Sequence, residues 1–210
     1  MKKIILFSMA LVLFAGFARA QELKPVKLDA PDKERGVALM KAFSQRASVR
    51  EWSDQKLSIR DLSDLLWAAN GVNRPDEAKR TAPSAMNAQD IDIYVFTEEG
   101  VYLYDAFNQV LNPVCSGDHR ALPGMTAAPV NLVLISDISR FRMGEDSLKL
   151  TWAAMDAGIV SQNISVFCAG TELVTRPRAS FPGMDKMKET LNLKDSQHVM
   201  LNHPVGYPKE

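Results

Sequence analysis

Three short stretches carry residue types that could do chemistry. In SQRASVR, Arg46, Ser48 and Arg50 recur at i, i+2 and i+4. That spacing places them on one side of an extended chain, not on one helix face. Two guanidinium forks and a hydroxyl donor pointing the same way suit a phosphate. The competing reading pairs the arginines at the surface with Glu51 and Asp54 just downstream. The second stretch, RTAPSAMN, holds Arg80, Pro83, Ser84 and Asn87. Pro83 fixes φ, Ser84 can close a turn, and Asn87 offers the donor and acceptor that an imide-like ring edge needs. By itself it also reads as a loop closing on a helix start. The third is FPGMD, where Gly183 permits close backbone approach just before a helix capped by Asp185. Taken singly it is an ordinary turn.

Other chemistries have little support. His119, His198 and His203 are scattered, and no CxxC or clustered His/Cys pattern offers a metal site. Cys115 and Cys168 are expected as two buried thiols, with a disulfide as the alternative. The 25 basic and 25 acidic residues form no block of like charge, which argues against a nucleic-acid binder.

The candidate residues need elements to hold them. A helix is predicted within PDKERGVALMKAF, with Leu39, Ala42 and Phe43 on its buried face, fading by Gln45 to leave RASVR extended. The clearest helix is SIRDLSDLLWAANG, capped by Ser58 with Asp61 at N3 and stopped at Gly71. A long polar loop carries the second stretch into IDIYVF and VYLYD, two strands of a hairpin. A short helix is expected around 118–123. APVNLVLIS reads as a central strand, and SLKLTWAAMDAGIVSQNISVFCAGTEL as a long helix. A loop, TRPRASFPG, leads into the short helix DKMKETLNL and a last strand, QHVMLNHPVG. The fold class is α+β, a mostly antiparallel sheet flanked by helices.

In combination the stretches are more specific than any is alone. R-x-S-x-R, P-S-x-x-N, DAG…QN and G-M-D follow one another in an order that resembles the nitroreductase family of FMN-dependent enzymes. The sequence looks closest to the SagB-type dehydrogenase-like branch. The likeness covers roughly residues 35–208 and rests on RASVREWSDQKLSIRDLSDLLWAANGVNR, RTAPSAMNAQDIDIYVFTEEGVYLYD and DAGIVSQNISVFCAGTEL. It implies a homodimer with FMN at the interface. Arg46, Ser48 and Arg50 would hold the phosphate and ribityl chain. Ser84 and Asn87, shaped by Pro83, would reach the isoalloxazine from the second subunit, and Gly183 would bring a backbone N–H to the ring edge. The implied activity transfers electrons from NAD(P)H to a nitroaromatic, quinone or other flat acceptor. The alternative is a flavin- or heterocycle-binding protein of the same fold without turnover. No catalytic side chain is expected, because the flavin does the chemistry.

The sequence departs from the family in three places. The chain ends VGYPKE, so Lys209 alone could serve as the basic residue that members carry beyond the final strand; a frayed terminal lysine is the alternative. Pro182 stands where many relatives have an acidic residue. Lys149 is followed by Leu150, not by the tyrosine of azoline-oxidising members.

MKKIILFSMALVLFAGFARA has the charged start, apolar run and small-x-small end of a secretory leader. Cleavage is expected after Ala20, leaving residues 21–210 as one domain with 22 basic and 25 acidic residues, no membrane span, and a periplasmic location.

Overall fold

Alternation along two strands sets the layering. In the computed structural model, which describes residues 22–124 and 128–209, β4 (Ile91–Phe96) and β7 (Val130–Asp137) pair antiparallel. Ile91, Ile93, Val95, Val130, Leu132 and Leu134 point to one face of the sheet; Tyr94, Phe96, Val133 and Ile135 point to the other. Both faces are covered, so both strands read as nearly continuous apolar runs. The first face packs against α2 (Ile59–Asn70) and α3 (Asp146–Ala169) through Leu62, Leu65, Leu66, Ala157, Val160 and Ile164. The second is covered by Met187 and Leu191 of α4 (Met184–Leu191).

The remaining strands are β1 (Val26–Lys27), β5 (Gly100–Asp105), β6 (Val110–Ser116), β8 (Val174–Thr175) and β9 (Gln197–Gly206). They complete a seven-stranded sheet in the order β1-β6-β5-β4-β7-β9-β8, antiparallel throughout. Two further short strands, β2 (Val72–Arg74) and β3 (Lys79–Arg80), form a separate ribbon inside the long polar loop. The α+β expectation holds. The leader expected at 1–20 lies outside the described residues.

Several boundaries differ from the sequence reading. The first helix, α1, spans only Leu39–Gln45, and of its expected buried stripe only Ala42 is buried. Gly36 has φ +101°, which breaks any helix before it. Arg35 is tied down by ion pairs to Asp61 and Asp64, and the Val37 N–H donates to the Gly170 carbonyl at 3.0 Å. Strand β6 went unread because Pro113 interrupts it. The register slips there, with Tyr102 facing Pro113 and Val101 facing Cys115, so Val114 bulges out of the ladder; a bulge is where a strand tolerates proline. Residues 119–124 form turns instead of the expected helix, and Asp118 pairs with Arg120. The N-cap of helix α4 lies two residues earlier than expected, at Gly183, and Asp185 lies in the first turn, where its charge favours the helix dipole. Both cysteines are free; Cys168 packs on the α2/α3 face of the sheet and Cys115 on the α4 face.

The cap of α2 matches the sequence: Ser58 Oγ accepts from the Asp61 N–H at 3.0 Å. Ser58→Ala should cost about 1 kcal/mol and lower the melting temperature by about 2–4 °C, measured by thermal unfolding.

Candidate active site

The chain leaves α1 in extended conformation. Arg46 is the C-cap residue, its N–H bonded to the Ala42 carbonyl at 2.9 Å, and its ψ of 120° ends the helix. Three residues on, the Val49 N–H donates to the Thr175 carbonyl at 3.0 Å, which seats the segment along β8. Val49 is half-buried while Arg46, Ser48 and Arg50 are exposed. Among the described residues none of these three enters an ion pair, so the pairing with Glu51 or Asp54 does not form.

The strap after β8 runs from this segment toward Gly183. Arg178 exchanges backbone hydrogen bonds with Asn202 of β9, at 2.9 and 2.8 Å. Its guanidinium lies against Gly124; a Cβ at that glycine would come within 1.8 Å of Arg178 Nη1. Farther along, a Cβ on Gly183 would meet only the Leu122 carbonyl, at 3.6 Å, so the backbone there is open to approach. The Arg46–Arg50 segment is thus tied at Val49 to Thr175, from which the strap runs over β9 and the turn at 119–124 to Gly183.

The residues of the second stretch form a separate cluster. Pro83 and Asn87 are exposed and Ser84 is half-buried. Ser84 Oγ accepts from the Gln89 N–H at 2.8 Å, closing the loop. Met86 and Asn87 have φ of 53° and Gln89 of 50°. Three left-handed non-glycine residues in four positions store strain, which persists only where the surroundings enforce it. Arg80 supplies part of that enforcement, donating to Gln89 Oε1 at 2.9 Å and stacking on Phe107. The rest comes from α3: Asp156 Oδ2 accepts from the Ala85 N–H at 2.8 Å. Within one chain, no hydrogen bond or ion pair joins this loop to Arg46, Ser48, Arg50 or Gly183 among the described residues.

Lys209 is exposed. The tail leading to it is fixed beside the start of α2, where the Ser53 N–H donates to the Tyr207 carbonyl at 3.0 Å and the Tyr207 hydroxyl bonds to Asp61. Two features invite a catalytic reading and do not sustain it. His203 Nε2 lies 2.8 Å from Ser161 Oγ, with Nδ1 3.2 Å from Thr175 Oγ1. Both His203 and Ser161 are buried, and burial pushes the imidazole down to about 3, so it is neutral and structural. A cavity of about 270 Å³ includes Lys56, Leu62, Tyr102 and Leu111 in its lining but none of the candidate residues.

Sequence reasoning missed Asp90, Arg176 and Arg178, and quoted Asp156 only as part of a motif. Asp90 is fully buried at the end of the loop, and Ser136 Oγ donates to its Oδ2 at 2.5 Å. Burial, reinforced by the neighbouring Asp156 carboxylate, pushes Asp90 up to about 7. A carboxyl raised in the folded state binds more protons there than when unfolded. The contribution of Asp90 to stability is therefore full below about pH 4 and is lost as pH rises to about 7. Asp90→Asn should flatten that slope, and melting curves from pH 5 to 8 should show the variant gaining on the native chain as pH rises.

The sequence pattern of the nitroreductase family matches residues 43–207. A crystal structure of a nitroreductase-like protein from Ralstonia eutropha superposes with a TM-score of 0.84 at 31% identity, covering 90% of this chain and 91% of that one. A protein of Methanocaldococcus jannaschii with a provisional nitroreductase name is 27% identical over 195 residues, 86% of this chain and 96% of its own length. In the Escherichia coli microcin synthetase complex, one chain shares the fold with a TM-score of 0.70 at 20% identity, covering 98% of this chain and 85% of that one. The chain belongs to the nitroreductase family.

Proposed function

We propose that this chain is an FMN-dependent oxidoreductase that works as a homodimer, taking electrons from NAD(P)H or another reduced donor and passing them to a flat acceptor such as a nitroaromatic or quinone. One observation carries the reading. Arg46, Ser48 and Arg50 project from a backbone seated on β8, and no carboxylate of the described residues neutralises the two arginines. Such a set suits a phosphate monoester, with guanidinium forks for its oxygens and a hydroxyl for the adjoining polyol. The open backbone at Gly183 fits the edge of a planar ring. These residues fit FMN, which would supply hydride and single-electron chemistry at its ring. The protein's part is to anchor the phosphate, present polar groups to the ring edge and shield the ring from water. Placement in the SagB-type branch is supported by the shared fold of the microcin synthetase chain.

The dimer reading rests on α3. Its inner face is buried, yet Leu148, Met155 and Gly158 are exposed on its outer face, and nothing lies within 4 Å of a Cβ on Gly158. Leu39, Met40 and Phe43 of α1 are exposed as well. A helix apolar on most sides needs cover on both, and a second copy of the chain would provide it. That copy would also bring the Pro83, Ser84 and Asn87 loop to the site that lacks it. We place the mature protein outside the cytoplasm, on the strength of the leader at residues 1–20.

The double variant Arg46→Ala, Arg50→Ala should stay folded and lose flavin on desalting. Met155→Asp should elute as a monomer and lose flavin together with the dimer. The native protein with FMN bound should be bleached by NADH or NADPH and recoloured by menadione. Flavin that stays firmly bound but unreduced by either donor would leave a binding protein, not an oxidoreductase using those donors.

A further inference from the structure

The strap after β8 carries two more arginines. Arg176 and Arg178 enter no ion pair among the described residues, and Arg176 Nε is buried without a hydrogen-bond partner. Burial, then the adjacent charges of Arg178 and Arg50, push Arg176 below the usual guanidinium range. The crowding is built into the backbone. The bond from the Val49 N–H to the Thr175 carbonyl ties the two segments together, with Arg50 and Arg176 each one residue from that contact. Asn202 secures the next turn of the strap, pairing with the Arg178 backbone and donating its side-chain amide to the Pro123 carbonyl. Arginines on a free surface would splay into water. Here one donor is desolvated with no acceptor, an arrangement that is costly until an anion arrives.

We propose that Arg176 and Arg178 join Arg50 in a pole that binds the phosphate monoester of the flavin, filling the part that relatives assign to a basic residue beyond the last strand. The inference rests on the flavin reading above. Lys209 sits past Tyr207, which is pinned at the start of α2, whereas Arg176 stands beside Arg50. The pole lies on the strap that leads to Gly183, so one stretch of chain would grip the phosphate and meet the ring edge.

The test compares FMN with riboflavin, which lacks only the phosphate, by fluorescence titration of the apo-dimer. The native protein should prefer FMN strongly. Arg176→Gln and Arg178→Gln should each weaken FMN roughly ten- to a hundredfold, as loss of a charge-assisted bond does, with riboflavin affinity unchanged. Arg176→Lys should recover part of the preference, which a purely structural role would not allow. If a glutamine variant unfolds, the lysine variants and the salt dependence of FMN binding by the native chain decide. FMN affinity that ignores salt, or lysine variants with no more FMN preference than their glutamine counterparts, would overturn the proposal. Glutamine variants that keep the native ratio while Arg46→Ala loses FMN would overturn this pole and leave the flavin reading intact. Variants altering only NADPH against NADH would assign the arginines to the donor instead. A native protein that binds neither flavin would refute both readings.

Discussion

The structure depends on the burial of α3. Ala157, Val160, Ile164 and Cys168 pack against α2 and the sheet and Ala153 against Ile138 and Phe141, and each of the five is at most 2% exposed. Small residues at 153 and 157 let the helix approach closely. The same helix carries Asp156 to the one place from which its carboxylate can hold the Ala85 N–H. A loop with three left-handed residues would otherwise relax. Packing of an apolar helix thereby becomes the geometry of a polar loop about 70 residues earlier in the chain.

The opposite end of the construction is electrostatic. Several surface charges are paired: Arg140 meets Asp92, Arg120 meets Asp118, and Lys56 lies between Glu98 and Glu99. Arg46, Arg50, Arg176 and Arg178 enter no ion pair among the described residues, and Arg176 adds a buried Nε with no hydrogen-bond partner. Exposed ion pairs are worth little to stability, so leaving the exposed Arg46 and Arg50 unpaired costs the fold little and keeps their donors available, whereas the buried Nε of Arg176 carries a desolvation cost. The remaining constraint is position, supplied by the backbone bonds of Val49 to Thr175 and of Arg178 to Asn202.

Much of this was legible in the sequence because local physics and global fold agree. The capping pattern of Ser58 and Asp61, the apolar run of β7 and the length of α3 each have one stable reading. The alternation of Arg46, Ser48 and Arg50 was legible as well, since a residue period of two survives any tertiary context that keeps the chain extended. Strand β6 was hidden by Pro113, whose missing N–H is excused only by a bulge that depends on Val101 and Tyr102 of the neighbouring strand. The start of α1 was misread because Arg35 is captured by Asp61 and Asp64, about 26 to 29 residues away. Arg176 and Arg178 looked like loop charges. The approach of Arg176 to Arg50 follows from the bond between Val49 and Thr175, which no local pattern encodes. The buried Asp90 was equally silent, because its burial is set by α3.

The central claim is that an unneutralised cationic segment and an apolar outer helix face serve one purpose, holding a flavin between two copies of the chain. The most direct measurement is the visible spectrum of the purified protein after FMN addition and desalting, with light scattering on the same fraction. The account expects a dimer retaining flavin bands at about one flavin per chain. A folded protein that emerges colourless, or that holds its flavin as a monomer, would contradict it.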